Sequence, residues 1–191
     1  MRCFVAIDID DRLRGRIDKL QREFKKRLKN QTGIKWVRSE LIHLTLKFLG
    51  EVEDTKADQI NRTLESVCAG HKSFKLEFST IGSFSRPPKV LWLGTEKANT
   101  ELEKLVQDIE QAFENLGFEK EQRPFSPHLT LARVKEKRPD RQLPEVIDSF
   151  GKIDAEVINV DSVCFYKSQL TSAGPVYTLL KKINLKIREE G

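Results

Sequence analysis

Apolar residues recur at spacings of three and four in several stretches of the chain, and each stretch predicts an amphipathic helix. Leu13, Ile17, Leu20, Phe24 and Leu28 make the first stripe, with Asp10 or Asp11 as its cap and Asn30 and Gly33 as its end. The second helix starts at about Asp54, turns Ala57, Ile60, Leu64 and Val67 inward and stops at Gly70. The third begins at Thr100, where Glu103 completes a capping box, buries Leu102, Leu105, Ile109, Phe113 and Leu116, and stops at Gly117. The fourth is short: Pro144 in the first turn, then Val146, Ile147 and Phe150, closed by Gly151. Strands are expected over 2–9, 41–49, 73–84, 88–95, 123–134, 154–166 and 174–186. Arg86-Pro87-Pro88 and Ser172-Ala173-Gly174-Pro175 are turn signals that make hairpins of the strands beside them.

The pattern repeats. The strand from Arg2 to Asp8 matches Lys89 to Thr95 at an offset of 87, and Phe74 to Phe84 matches Glu156 to Tyr166 at an offset of 82. Between these, His43-Leu44-Thr45-Leu46 recurs as His128-Leu129-Thr130-Leu131 at an offset of 85. Each half runs helix, strand, helix, strand, strand. The expectation is one α+β domain over 1–191, duplicated internally as about 1–86 and 87–191. Its two lobes would be related by a pseudo-twofold axis, each with an antiparallel-rich sheet and helices, around a central cleft. A duplicated unit would bury the apolar face of its sheet against its twin.

Composition narrows the classes. A chain of 191 residues, 38% hydrophobic and 33% charged, can bury a core without staples. No apolar run approaches a membrane span, and the opening strand-like segment is broken by Asp8, Asp10 and Asp11, so no signal peptide is read. Cys3, Cys68 and Cys164 are widely spaced and read as buried thiols, in neither a disulfide framework nor a zinc site. A cytoplasmic, reducing setting follows as the expectation. The net charge of +5 is compatible with nucleic acid without establishing it, and the cluster Lys25-Lys26-Arg27-Leu28-Lys29 reads as a solvated helix face.

The chemistry lies in the tetrapeptides. The sequence has three histidines, and two of them open the same four residues. Given a His, a following Leu-Thr-Leu arises by chance about once in a thousand. A strand alternates its faces, so His43 and Thr45 point one way and Leu44 and Leu46 the other; the same holds for His128, Thr130, Leu129 and Leu131. The leucines suit the core. The polar pairs then line a cleft, with two imidazoles for acid and base and two hydroxyls for nonbridging oxygens, which suits phosphodiester hydrolysis without a metal.

These residues carry a family resemblance. Ile42-His43-Leu44-Thr45-Leu46-Lys47-Phe48-Leu49-Gly50-Glu51 and Arg123-Pro124-Phe125-Ser126-Pro127-His128-Leu129-Thr130-Leu131-Ala132-Arg133 resemble the two signatures of the two-histidine phosphoesterase superfamily. Within it they are similar to the RNA 2′,3′-cyclic phosphodiesterases, also called 2′-5′ RNA ligases. The opening Met1-Arg2-Cys3-Phe4-Val5-Ala6-Ile7-Asp8 is similar as well, as are Tyr166-Lys167-Ser168-Gln169-Leu170 and Gly174-Pro175-Val176-Tyr177. Ser39-Glu40-Leu41-Ile42 departs from the family's usual lead-in.

The resemblance implies a site of His43, Thr45, His128 and Thr130 with no metal and no cofactor, opening a 2′,3′-cyclic phosphate to a 2′-phosphomonoester. It suggests His43 as the acid and His128 as the base, a choice that sequence symmetry leaves open. It also implies Arg133 near the phosphate and Phe48 beside a base. Strict alternation puts both on the leucine face, so each strand must end or bulge just past its tetrapeptide, or these residues are structural. The implied partners are RNA ends or nucleotides bearing the cyclic phosphate, with tRNA fragments one candidate, and the expected state is a monomer without a membrane partner. Arg38 and Arg123, each five residues before its His, could recruit phosphate but read more readily as surface. Trp36 and Tyr177 could stack on bases but read more readily as core or rim, and His71 reads as a surface residue. Ligation by the reverse reaction, a binding module without turnover, and a small cyclic-nucleotide enzyme are the alternatives.

Overall fold

The computed structural model describes residues 1–28, 32–135, 142–172 and 174–188. Lys29 of the basic cluster, the helix stop at Asn30 and Ala173 of the second turn signal lie outside them. Strand β1 (Arg2–Asp8) leads into helix α1 (Asp11–Arg27). Asp10 is the cap, its carboxylate accepting from the N–H of Leu13 at 2.7 Å. A short strand that the periodicity does not reveal, β2 (Ile34–Trp36), precedes β3 (His43–Glu51). A 3₁₀ turn at Asp54–Lys56 opens helix α2 (Ala57–Cys68). Strands β4 (Phe74–Phe84) and β5 (Val90–Gly94) follow, then helix α3 (Thr100–Glu114).

The cap of α3 is Asn99 rather than a box at Thr100. Its side chain accepts from the N–H of Leu102 at 2.9 Å, which makes Thr100 the first helical residue and puts Glu103 one place too far for the reciprocal bond. Strand β6 (His128–Val134) begins only at the histidine, because Pro124 and Pro127 remove two N–H donors from the segment before it. Helix α4 (Leu143–Phe150) follows, with Gly151 at a φ of 47° ending it. The single strand expected over 154–166 is two strands, β7 (Lys152–Val160) and β8 (Ser162–Thr171), and β9 (Gly174–Asn184) is the last strand among the described residues.

The sheet runs β7-β4-β5-β6-β3-β1-β8-β9, with β2 on β6, and every strand pair in it is antiparallel. This is an α+β fold of two lobes, β7-β4-β5-β6 and β3-β1-β8-β9. The break at Asp161 has a topological cause: β7 pairs with β4 in one lobe, while β8 pairs with β1 in the other. The lobes meet edge to edge at one residue pair, Leu44 with Leu129. They therefore do not pack sheet on sheet. Helices cover the leucine face instead: α2 and α3 lie against the β3 lobe, and α4 lies against β4. Helix α1 is tied beneath β6, where Gln21 donates to the carbonyl of Leu131 at 3.0 Å. Leu13, Ile17, Leu44, Leu64, Leu105, Leu129 and Leu131 belong to one continuous buried cluster.

Candidate active site

The Leu44–Leu129 pair sets the geometry. Its side chains are fully buried, so the neighbouring residues of both strands point to the opposite face. Because β3 and β6 are antiparallel, His43 falls beside Thr130 and Thr45 beside His128. All four are half-buried and share the face free of helices.

Both strands then change phase at the same place. In β3, Val5 is paired with Lys47 and Ala6 with Thr45, which leaves Leu46 as the extra residue of a bulge. In β6, Leu91 is paired with Ala132 and Trp92 with Thr130, leaving Leu131 in the same position. Two consecutive side chains are buried in each strand, Leu46 with Lys47 and Leu131 with Ala132. Phe48 and Arg133 are thereby returned to the histidine face, where Phe48 is 66% exposed. The bulge that strict alternation left open is present in both copies.

The bulges leave groups that need partners. The carbonyl of Leu131 accepts from the N–H of Val37 at 2.9 Å and from Gln21 of α1. Lys47, turned into the helix layer, donates to Glu110 at 2.6 Å and to the carbonyl of Glu119 at 2.8 Å, so its buried charge is matched.

The imidazoles are held alike. Nδ1 of His43 donates to the carbonyl of Leu41 at 2.8 Å, and Nδ1 of His128 donates to the carbonyl of Ser126 at 2.8 Å. A carbonyl only accepts, so the neutral ring carries its proton on Nδ1 and leaves Nε2 to titrate. Arg14 steadies the lead-in to His43 through the carbonyls of Ser39 at 2.6 Å and Ile42 at 3.3 Å. His43 stacks on Phe4 at 4.7 Å and meets Tyr177 edge-on at 5.3 Å, while His128 meets Phe84 edge-on at 4.8 Å. Burial pushes His43 below the ordinary imidazole value. The Leu41 carbonyl and Asp8 oppose that, and Arg14 and His128 reinforce it. His128 is lowered by burial, opposed by Ser126 and reinforced by Arg133. Arg133 also acts on Tyr177 of the other lobe, so its charge reaches across the cleft.

Several side chains here were not evident from sequence. Asp8 stands directly across β1–β3 from His43, and both its oxygens lie within bonding distance of the Tyr166 hydroxyl, at 2.9 and 2.8 Å. Trp92 lies flat over Gly82 and Gly94, where a Cβ would come within 2.4 and 2.9 Å of its ring. Those glycines were the available signal. The remaining candidates fall elsewhere. Arg38 and Arg123 pair at the surface with Glu40 and Glu121. Trp36 packs against Phe24 of α1, on the helix side. His71 is buried rather than superficial, because two distant segments meet it: Asp108 of α3 lies 2.9 Å from its ring, and the Lys186 N–H donates to its carbonyl. The three cysteines are free and buried. No three His, Cys, Asp or Glu among the described residues converge as a metal cage, and no described helix is long and apolar enough to cross a membrane.

The sequence and the two-lobed antiparallel fold have counterparts among known proteins. The model of the 2′-5′ RNA ligase superfamily matches residues 9–171. A Methanocaldococcus jannaschii protein named RNA 2′,3′-cyclic phosphodiesterase is 35% identical over 184 residues, covering 95% of this chain and 99% of that one. A Thermotoga maritima protein of the same name is 36% identical over 184 residues, covering 94% and 93%. In fold, the chain is similar to Escherichia coli LigT complexed with 3′-AMP, with a TM-score of 0.75 at 24% identity over 96% of this chain and 97% of that one. It is likewise similar to a Thermus thermophilus protein, with a TM-score of 0.80 at 23% identity over 99% and 100%. The chain belongs to the 2′-5′ RNA ligase superfamily.

Proposed function

We propose that the protein hydrolyses 2′,3′-cyclic phosphate ends of RNA to 2′-phosphomonoesters. One observation carries the reading: two imidazoles, each anchored through Nδ1, present Nε2 on one face with two threonine hydroxyls. His128 takes a proton from water as the water oxygen bonds to phosphorus. The bond from phosphorus to O3′ breaks, and His43 supplies the proton that O3′ needs. The hydroxyls of Thr45 and Thr130 donate to the nonbridging oxygens as their charge grows. Arg133 supplies a cation for the phosphate and Phe48 an exposed ring for a base. The relatives named RNA 2′,3′-cyclic phosphodiesterase support the same reaction. In this reading the enzyme is a cytoplasmic monomer acting on RNA ends, tRNA fragments among them, without a metal or cofactor.

The test offers purified protein an RNA ending in a 2′,3′-cyclic phosphate and maps the product. A 2′-phosphate is expected. A 3′-phosphate would overturn the assignment of the leaving oxygen. Joined RNA in place of hydrolysis, with 5′-hydroxyl ends supplied, would favour ligation, the reverse reaction.

A further inference from the structure

Within their own strands the two histidines sit in matched settings. Each Nδ1 is held by the carbonyl two residues back, each imidazole is followed by a Thr on its own face, and each strand bulges at the fourth residue. The match ends at the neighbouring strand. Asp8 stands opposite His43, and Gly94 stands opposite His128. Register thus equates Asp8 with Gly94, one residue away from the Thr95 that sequence alignment suggests. Position 94 has no room for a side chain, since a Cβ there would lie 2.9 Å from the Trp92 ring and 3.0 Å from the Pro127 carbonyl. Past the bulge the copies differ again, with neutral Phe48 on one strand and cationic Arg133 on the other.

Asp8 is held in place. The Tyr166 hydroxyl donates to its carboxylate, and the Cys164 thiol approaches to 3.6 Å. Burial and the Asp8 charge push the Tyr166 phenol far above its ordinary range, so it stays a donor. Tyr166 also stacks at 5.3 Å on Phe4, the ring that supports His43. The groups facing His43 are Asp8 from β1, Arg14 from α1, His128 from β6, Phe4 beneath it and Tyr177 from β9. Asp8 alone among these is a carboxylate. Cross-strand neighbours place their Cβ atoms roughly 5 Å apart, close enough for one charge to act on the next.

We propose that Asp8 is a positioning residue that separates the roles of the two histidines: its carboxylate favours the imidazolium of His43, while Gly94 and Arg133 leave His128 as the neutral base. The inference rests on the acid–base reading above. It adds that the duplicated site is polarised from the neighbouring strand rather than from within the tetrapeptides.

The test follows both imidazoles by NMR in wild type, Asp8→Asn, Asp8→Ser, Asp8→Glu and Tyr166→Phe, with His43→Ala and His128→Ala to assign the signals. Removing a charge that favours the imidazolium lowers the midpoint of His43. A fall of about one pH unit is expected in Asp8→Asn and Asp8→Ser, with a much smaller change at His128. Asp8→Glu should recover most of it, and Tyr166→Phe should keep most of it because the carboxylate remains. The optimum for cyclic-phosphate RNA should move to lower pH in Asp8→Asn, and turnover near neutrality should fall about tenfold. A nitrophenyl ester, whose leaving group needs no proton, should be hydrolysed at close to the wild-type rate. An unmoved His43 midpoint, or equal shifts at both histidines, overturns the proposal. If the wild type hydrolyses no cyclic phosphate, the functional reading fails separately, and the NMR comparison still decides the role of Asp8.

Discussion

The carboxamide of Gln21 donates to the carbonyl of Leu131 at 3.0 Å, and this contact ties helix α1 to the bulge that turns Arg133 toward the histidines. Gln21 is 5% exposed, and it also donates to the carbonyl of Val37 at 2.7 Å. Replacing it removes one donor from each of two carbonyls inside the protein, and Leu131 keeps only the Val37 N–H. Gln21→Ala should cost about 1–3 kcal/mol in denaturant unfolding. It should also raise KM more than a surface control of equal destabilisation, because Arg133 loses its aim. An unchanged KM would mean that the bulge holds without α1.

The two-histidine assignment predicts that neither copy suffices. His43→Ala and His128→Ala should each lower kcat by roughly a hundred- to ten-thousand-fold with the circular dichroism spectrum preserved. Thr45→Ala and Thr130→Ala should cost less, since each removes one donor. Near-normal turnover in either folded histidine variant would remove that side chain from the mechanism.

The effect of pH follows from the direction of the shifts. Both imidazoles are lowered by burial, so the bell-shaped profile should centre below the ordinary histidine value of about 6.5. Its limbs belong to the coupled pair. Stability has the same origin with a definite sign: each native histidine binds protons less readily than its unfolded counterpart. Stability should therefore decline as pH falls through about 6.5, where the unfolded chain takes up more protons. Denaturation series at several pH values, with and without His43→Ala, measure how much of this slope that residue carries.

Phe48 and Arg133 should separate base from phosphate recognition. Phe48 is 66% exposed, so Phe48→Ala should leave stability nearly unchanged while raising KM for nucleotides. Arg133→Ala should weaken binding in a way that flattens the salt dependence. If both variants bind a short RNA as the wild type does, the face beyond the bulges has no part in recognition.

Chelator treatment should leave activity intact, because the proton transfers are assigned to side chains. Loss of activity on chelation, restored by one divalent ion, would show that a metal takes part.

The sequence by itself determined the helices, most of the strands, the facing of His43 and Thr45 away from Leu44 and Leu46, and the recurrence of that unit at His128. All of these are local, since they follow from spacing along a single segment and from burial of one face. Tertiary structure decided the rest. The break at Asp161 depends on which strands β7 and β8 pair with in different lobes. The bulges at Leu46 and Leu131 exist because β1 and β5 each offer one residue fewer than their partners, so the facing of Phe48 and Arg133 is a property of two strands together. The caging of His71 needs a chain segment more than a hundred residues away. The difference between the two histidines is invisible inside identical tetrapeptides. It arises from Asp8 opposite one and Gly94 opposite the other, because charges act through space on whatever neighbour the register supplies.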